Sequence, residues 1–370
     1  MTRRRFAVRA GLAVAAGRML PEFAYAQRAA VTAPLAADMV WLNANENPDG
    51  PPQASIEAMV RCLPTTGRYH YQEFRDFYAT LARSEDLGPE QVLIGAGSSE
   101  VLHCAVDAFT SPTRPLIAIS PTYEGPIDTT RAYGRTVISV PLTAQHTADV
   151  KKLAEEAAKA GGALVYLCNP NNPTGSVTPK ADIGWLVANL PPDAILLVDE
   201  AYHHFADTPE FENALAYVRQ GKNVVITRTF SKIYGMAGLR AGYACGRADL
   251  IRRMAPFRNN VISYVTVQAV IAALEVTPKV IPERRARLLK TRAELCAWLR
   301  GKGLGYIESH ANFVMIDLGR EARPFIFGMP QRGVAVGRPF PPLDNMLRVS
   351  IGTDADMAKF KEVFWSMYNA

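Results

Sequence analysis

From about residue 90 the chain alternates short apolar runs with amphipathic stretches. Seven runs, at 92–95, 116–120, 136–140, 163–168, 194–199, 223–227 and 241–245, have the composition and bounding residues of strands. Between several of them, residues 98–109, 150–160 and 180–189 carry helical spacing. This alternation predicts an α/β fold built on a parallel sheet with crossovers, and runs so apolar predict a sheet covered on both faces. After about Pro278 the pattern changes to a charged helix over 283–301, an apolar run at 313–318, a helical stretch, short runs at 333–337 and 347–351, and a last helix from Asp354. That predicts a smaller α+β unit. In open α/β sheets ligands sit beyond the carboxyl ends of the strands, so the loops there are the places to search for chemistry.

Length agrees with two units, since 370 residues exceed the roughly 250–300 at which one core stops growing. The expected division is a leader at 1–26, an N-terminal segment at 27–65 serving the small unit and the site, a large unit at 66–277 and a small one at 278–370. With 48% hydrophobic and 21% charged residues, and no uninterrupted apolar run near the ~20 residues of a spanning helix, a soluble protein without stable membrane insertion is expected. The net charge of +6 looks like a nucleic-acid signal until it is located. Arg3, Arg4, Arg5, Arg9 and Arg18 against Glu22 put +4 in the first 26 residues and leave only +2 elsewhere, so nucleic acid is not an expected partner.

Five scattered cysteines form no C-x-x-C pair, and the adjacent His203 and His204 lack further ligands at metal-site spacing, so no metal is expected. The leader joins Arg3-Arg4-Arg5-Phe6 to a mild apolar stretch and an Ala24-Tyr25-Ala26 ending, features of a twin-arginine export signal and hence of a periplasmic location. A basic tail or an upstream extension on a cytoplasmic protein is the other reading.

Five loops carry candidate chemistry. Gly95-Ala96-Gly97-Ser98-Ser99-Glu100 ends a strand in glycines and opens a helix, whose free amides make an anion site. Ser120-Pro121-Thr122-Tyr123 places an aromatic ring past a strand end, fit to stack on a flat heterocycle. Cys168-Asn169-Pro170-Asn171-Asn172-Pro173-Thr174-Gly175 is a stiff turn able to aim an amide side chain. Asp199-Glu200-Ala201-Tyr202 ends a strongly apolar strand, where a carboxylate needs a cation or a donor, such as a protonated pyridine nitrogen. Thr229-Phe230-Ser231-Lys232, followed by Arg240, offers a lysine whose apolar surroundings favour the neutral, nucleophilic amine.

Taken together, these motifs resemble the fold-type I pyridoxal-5′-phosphate (PLP) aminotransferases, most closely the histidinol-phosphate aminotransferases, from about Leu42 to Thr353. The resemblance implies a large domain with a mostly parallel seven-stranded sheet, a smaller α+β domain, PLP as cofactor and a homodimer with shared sites. It makes Lys232 the Schiff-base lysine and proton carrier, Asp199 the partner of the pyridine nitrogen, Tyr202 and Asn172 the partners of the phenolic oxygen, and Tyr123 the stacking ring. It assigns the cofactor phosphate to Ser98, Ser99, Thr229, Ser231 and Arg240, with Tyr69 reaching the phosphate of a neighbouring subunit. Asn45 is placed on the substrate side, and Arg348, in Leu347-Arg348-Val349-Ser350, is the grip on a substrate carboxylate.

One position departs from the pattern. Relatives acting on histidinol phosphate carry a second arginine directly after the strand aligned with 333–336, whereas here Gly337 takes that place, Arg338 comes one later, and Pro339-Phe340-Pro341-Pro342 follows. The expected substrates are therefore a 2-oxo acid and an amino acid with an apolar or aromatic side chain. Histidinol phosphate itself remains an alternative donor. A PLP-dependent amino-acid decarboxylase of the phosphothreonine type shares nearly all the motifs, and a non-catalytic PLP-sensing module is the reading from another class.

Overall fold

The computed structural model describes residues 38–259 and 261–370. The leader expected at 1–26 lies outside the described residues. The chain enters on β1 (Val40–Leu42), followed by α1 (Gln53–Cys62) and α2 (Tyr71–Ser84). Seven strands then build the main sheet: β2 (Val92–Gly95), β3 (Leu116–Ser120), β4 (Val137–Pro141), β5 (Leu164–Cys168), β6 (Ile195–Asp199), β7 (Val224–Thr229) and β8 (Gly242–Gly246). These are the seven apolar runs, shifted by two residues at most.

Their order is β2-β8-β7-β6-β5-β3-β4. All neighbours from β7 to β4 are parallel, while β8 runs antiparallel to both β7 and β2. The one reversal has a simple origin. Parallel neighbours need a crossover, usually a helix, and the segment between β7 and β8 contains only a loop and one short 3-10 turn. That segment is the lysine loop.

Crossover helices cover the sheet: α3 (Ser98–Phe109), α4 (Gly125–Ala132), α5 (Val150–Lys159), α6 (Lys180–Asn189), α7 (Leu215–Arg219) and α8 (Ala248–Met254). Strands β5 and β6 are buried at every position, as two covered faces require. Each fully buried Leu, Ile or Val there stabilises the fold by about 1.5–3 kcal/mol. Helix α5 is fixed at its start by Asp149, whose side chain accepts the Lys152 amide at 2.9 Å, the kind of cap worth roughly 1 kcal/mol.

Helix α9 (Tyr264–Gly301) corrects one expectation. The pattern placed a break near Pro278 and a helix from 283, but one helix runs straight through Pro278 and Pro282. Its first half is buried against α1, with Ser55 Oγ donating to the Ala269 carbonyl at 2.8 Å. Its second half buries Leu288, Leu295 and Leu299. Packing at both ends outweighs the roughly 3 kcal/mol that an interior proline costs. The boundary expected at 278 therefore falls inside a helix that serves both units.

The small unit holds β9 (Gly305–Ile307), β10 (Phe313–Asp317), α10 (Arg323–Gly328), β11 (Val334–Val336), β12 (Met346–Ser350) and α11 (Asp354–Tyr368). Strands β12-β10-β9 form an antiparallel sheet, and β11 pairs in parallel with β1 from the other end of the chain. The three-residue β1 and β9 escape a reading by pattern because neither is long enough to show a period.

Candidate active site

The register of the main sheet gathers the candidate loops along one edge. Cys168 lies beside Asp199, Asp199 beside Thr227, Thr229 beside Gly242, and Gly242 beside Gly95. Ser120 ends β3 on the same side. Four loops found separately in the sequence thus become neighbours at strand spacing, with the loop after β3 next to them.

At one end of this row is an anion cradle. Gly97, at φ +81°, precedes α3, and no side chain caps that helix start. Glu100 instead bends back to accept the Ala96 amide at 2.6 Å, leaving Ser98 and Ser99 at the positive end of the helix dipole. A Cβ on Gly97 would collide with the Arg240 guanidinium, and one on Gly242 would collide with the Ser98 backbone. Only glycine at these two places lets Arg240 and the helix start face one space. Across it, the Thr229 hydroxyl donates to Ser231 Oγ at 2.9 Å and the Ser231 amide donates to Thr229 Oγ1 at 3.1 Å. Arg240 Nη1 stands 3.5 Å from Ser231 Oγ.

In the middle lies Asp199, 3% exposed. It accepts from Tyr166 Oη at 3.3 Å, Thr227 Oγ1 at 3.2 Å and the Ala201 amide at 3.2 Å. Burial nevertheless dominates and pushes its carboxyl up to about 6 against these donors and the pull of Lys232. A carboxylate so placed is short of a cation. Lys232 is half-buried, with Nζ 3.2 Å from the Ala44 carbonyl and 5.7 Å from the centroid of the Tyr202 ring. Tyr202 is buried, which raises its phenol above the ordinary range, and its oxygen accepts Asn45 Nδ2 at 3.1 Å.

The outer side is built from both ends of the chain. Arg348, on β12, donates from Nη1 to Asn172 Oδ1 at 2.7 Å and from Nη2 to the Asn43 carbonyl at 2.7 Å. Ser350, two residues on and therefore on the same face, bonds both the amide and the side chain of Asn45. Asn45 sits in the left-handed region at φ +54° and is 2% exposed, so the turn it makes is specified by this contact. Gly337 donates its amide to the Arg348 carbonyl at 2.8 Å, and a Cβ there would press on Arg348 at 2.8–3.2 Å. The glycine that departs from the family pattern is thus what lets Arg348 lie where it does.

Tyr123 is half-buried near this row, 3.5 Å from Ser99 Oγ. Its loop is pinned by Thr122 Oγ1 donating to Asn171 Oδ1 at 2.8 Å and by Asn171 Nδ2 donating to the Pro121 carbonyl at 3.1 Å. Arg338 is paired with Glu124. Tyr69 alone stays away: it is 75% exposed and stacks on Tyr71 at the surface. The rings of His203 and His204 lie 3.8 Å apart at a 38° tilt, and burial holds both neutral, His204 down at about 3.

Residues 37–364 match the family model for aminotransferase class I and II. The chain belongs to that family. It is 37% identical over 328 residues to a histidinol-phosphate aminotransferase of Symbiobacterium thermophilum, a span covering 88% of this chain and 89% of that protein. It is 32% identical over 326 residues to an aromatic amino acid aminotransferase of Thermobifida fusca, covering 87% and 88%. Among solved structures, the histidinol-phosphate aminotransferase of Sinorhizobium meliloti in complex with pyridoxal-5′-phosphate superposes with a TM-score of 0.82 at 27% identity, over 89% of this chain and 92% of that one.

The aminotransferase is therefore a PLP-dependent enzyme of the α/β fold expected from its sequence. Its residues fit the cofactor. The glycine-lined cradle suits a phosphate, Asp199 needs the cation that a protonated pyridine supplies, and Tyr202 with Asn172 offers donors for a phenolic oxygen.

Sequence reasoning missed several groups that hold these. Tyr166 and Thr227 orient Asp199, and Asn312 donates to the Asn45 carbonyl at 3.0 Å. Beneath the row, Arg228 is buried between Glu85 at 2.5 Å and Glu200 at 2.9 Å, with Tyr243 donating to Glu85. This cluster ties the ends of β6, β7 and β8 to the end of α2. Period-two spacing on β5 and β7 could have marked Tyr166 and Thr227 as facing Asp199; nothing local marks Glu85.

Proposed function

We propose that the enzyme moves an amino group between an amino acid with an apolar or aromatic side chain and a 2-oxo acid. The observation that carries this is the pairing of the two arginines. Arg348 points its guanidinium edge along buried hydrogen bonds that a carboxylate can join or replace in a two-bond geometry. Arg338, the remaining candidate for a substrate phosphate, is neutralised by Glu124 and lies over the ring of Phe340. Histidinol phosphate has no carboxylate for Arg348, and its phosphate would have to displace Glu124 to reach Arg338, so it lacks the grip that an amino acid finds directly. The names of several relatives favour it as a second reading.

PLP, when bound, supplies an electron sink for the carbanion formed at the substrate α-carbon. The protein supplies the rest. Asp199 holds the proton on the pyridine nitrogen, because leaving that carboxylate buried without a cation is costly. Lys232 Nζ would take the proton from the substrate α-carbon and deliver it to a second carbon on the same face, the shift that turns an amino acid into an oxo acid. Transfer by a positioned group of this kind contributes about 10²–10⁴-fold. Arg348 and Asn172 orient the donor so that the α-proton faces the lysine.

Exposed apolar side chains at Val60, Leu63, Tyr69 and Tyr71 support a homodimer in which Tyr69 serves the partner's site. The double-arginine start supports export in the folded state to the periplasm. Half-reaction rates for phenylalanine, leucine and histidinol phosphate test the donor reading. It predicts the higher specificity constant for an amino acid, and a higher one for histidinol phosphate would replace it.

A further inference from the structure

At the mouth of the substrate side, Glu124 and Arg338 form a pair for which transamination itself has no use. Glu124 follows Tyr123 at the start of α4, where its side chain makes no capping bond, whereas Arg338 follows Gly337 beyond β11. Nη2 of the arginine donates to both carboxylate oxygens, and Nη1 bonds the Pro339 carbonyl at 3.0 Å. The side chains keep 33% and 28% exposure, so the pair joins the two units at a partly solvated place. Asp128, one turn into α4, senses both groups: burial and then Glu124 push its carboxyl up, while Arg131 and Arg338 oppose.

The buried ring of Phe340 relates this pair to the carboxylate grip. Its centroid is 4.3 Å from the Arg338 guanidinium carbon and 4.6 Å from that of Arg348. Two cations thus share one ring, one already committed to the α-carboxylate and the other to Glu124. A transaminase that exchanges an uncharged amino acid for an acidic oxo acid must accept both in one pocket. A bare guanidinium beside an apolar side chain is costly, and a bare one beside a carboxylate is an asset.

We propose that Glu124 is a built-in counter-anion that sets side-chain selectivity. Paired with Arg338 it neutralises the cation while an uncharged side chain fills the pocket; the distal carboxylate of a five-carbon dicarboxylic acid displaces it and takes Arg338 for itself. The backbone need not move, since the loop carrying Glu124 is pinned through Thr122 and Asn171. Only the half-exposed carboxylate turns out to solvent, and partly exposed ion pairs are weak enough to open. This inference deepens the proposed donor class and rests on it.

The test titrates the PLP-loaded enzyme with glutarate and with hydrocinnamate, following the absorbance of the bound cofactor. Four proteins are compared: wild type, Glu124→Gln, Arg338→Gln and the double variant. Removing the internal competitor in Glu124→Gln should tighten glutarate about fivefold, in line with a partly exposed ion pair. Arg338→Gln should weaken glutarate about tenfold, as loss of a charge-assisted partner does. The double variant should match Arg338→Gln, because Glu124 acts only through that arginine. Unchanged or weaker glutarate binding in Glu124→Gln would overturn the proposal, as would a Glu124→Gln effect that persists without Arg338. Failure of hydrocinnamate to bind the wild type would count against the donor class instead, so the two ideas fail separately.

Discussion

The cofactor side and the substrate side of this site are assembled in opposite ways. Ser98, Asp199, Thr229 and Lys232 stand at or just beyond the ends of sheet neighbours, fixed by register and by residues close in sequence. Arg348, Asn45 and Ser350 meet across a separation of 305 residues, through β1, β11 and the short sheet of the small unit. The first region presents an unmet need, a glycine-lined cradle and a carboxylate held at about 6. In the second, the two arginines are already paired by the chain itself, through Asn172, Asn43 and Glu124. A cofactor that stays is met by a rigid site. Substrates that alternate are met by internal stand-ins they can displace.

The contrast breaks first at Lys232. On the roles proposed for it, Lys232→Ala removes both the covalent anchor and the proton carrier, and turnover should fall by about 10⁴-fold or more while Asp199 and the cradle stay intact. Steady-state assays across amino donors check this, and residual activity within a hundredfold of wild type, a gap of about 2.7 kcal/mol, would move the proton carrier elsewhere.

On the substrate side, Arg348→Lys keeps the charge but loses the two-bond geometry. The specificity constant for an apolar amino acid should drop by about 10–100-fold, the equivalent of roughly 1.5–3 kcal/mol. The cofactor absorbance should be far less affected than turnover. A loss of colour as large as the loss of rate would mean that the two regions are not separable in this way.

The smallest effect concerns acidity. In the cofactor-free fold the Asp199 carboxyl stands at about 6, above the roughly 3.9 of an unfolded chain. The folded state therefore holds the extra proton between these values, and the stability it brings, complete below about pH 4, is lost as pH rises through about 6. Between pH 5 and pH 8 the part lost is on the order of 1.4 kcal/mol, about one pKa unit. A cation on the pyridine nitrogen offsets it. The gain in melting temperature on adding PLP should thus be about 2–4 °C larger at pH 8 than at pH 5. An equal gain at both would detach Asp199 from the ring.

The same contrast governs what could be read from the chain. Seven apolar runs, five of them with candidate chemistry at their ends, were legible because strand period, bounding glycines and site residues are local features; Asp199 ends such a run, and Tyr202 and Lys232 follow runs that the pattern places. The direction of β8 was not legible, since it depends on the lack of a helix in the lysine loop. Nor was the continuity of α9, where packing overrides two prolines. Asn45 and Arg348 were found by resemblance, but what they bond to, Ser350 and the Asn43 carbonyl, depends on a pairing of β1 with β11 that no local pattern specifies. Glu124 went unnoticed beside Tyr123 because its partner is 214 residues away.

Lys232 is the lysine proposed to carry the cofactor, and its peptide can be read directly. The purified protein is treated with borohydride to fix the cofactor covalently, digested, and the tagged peptide identified by mass. A tag on the peptide containing Lys232, absent from Lys232→Ala, is the predicted result; a tag on any other lysine would contradict it.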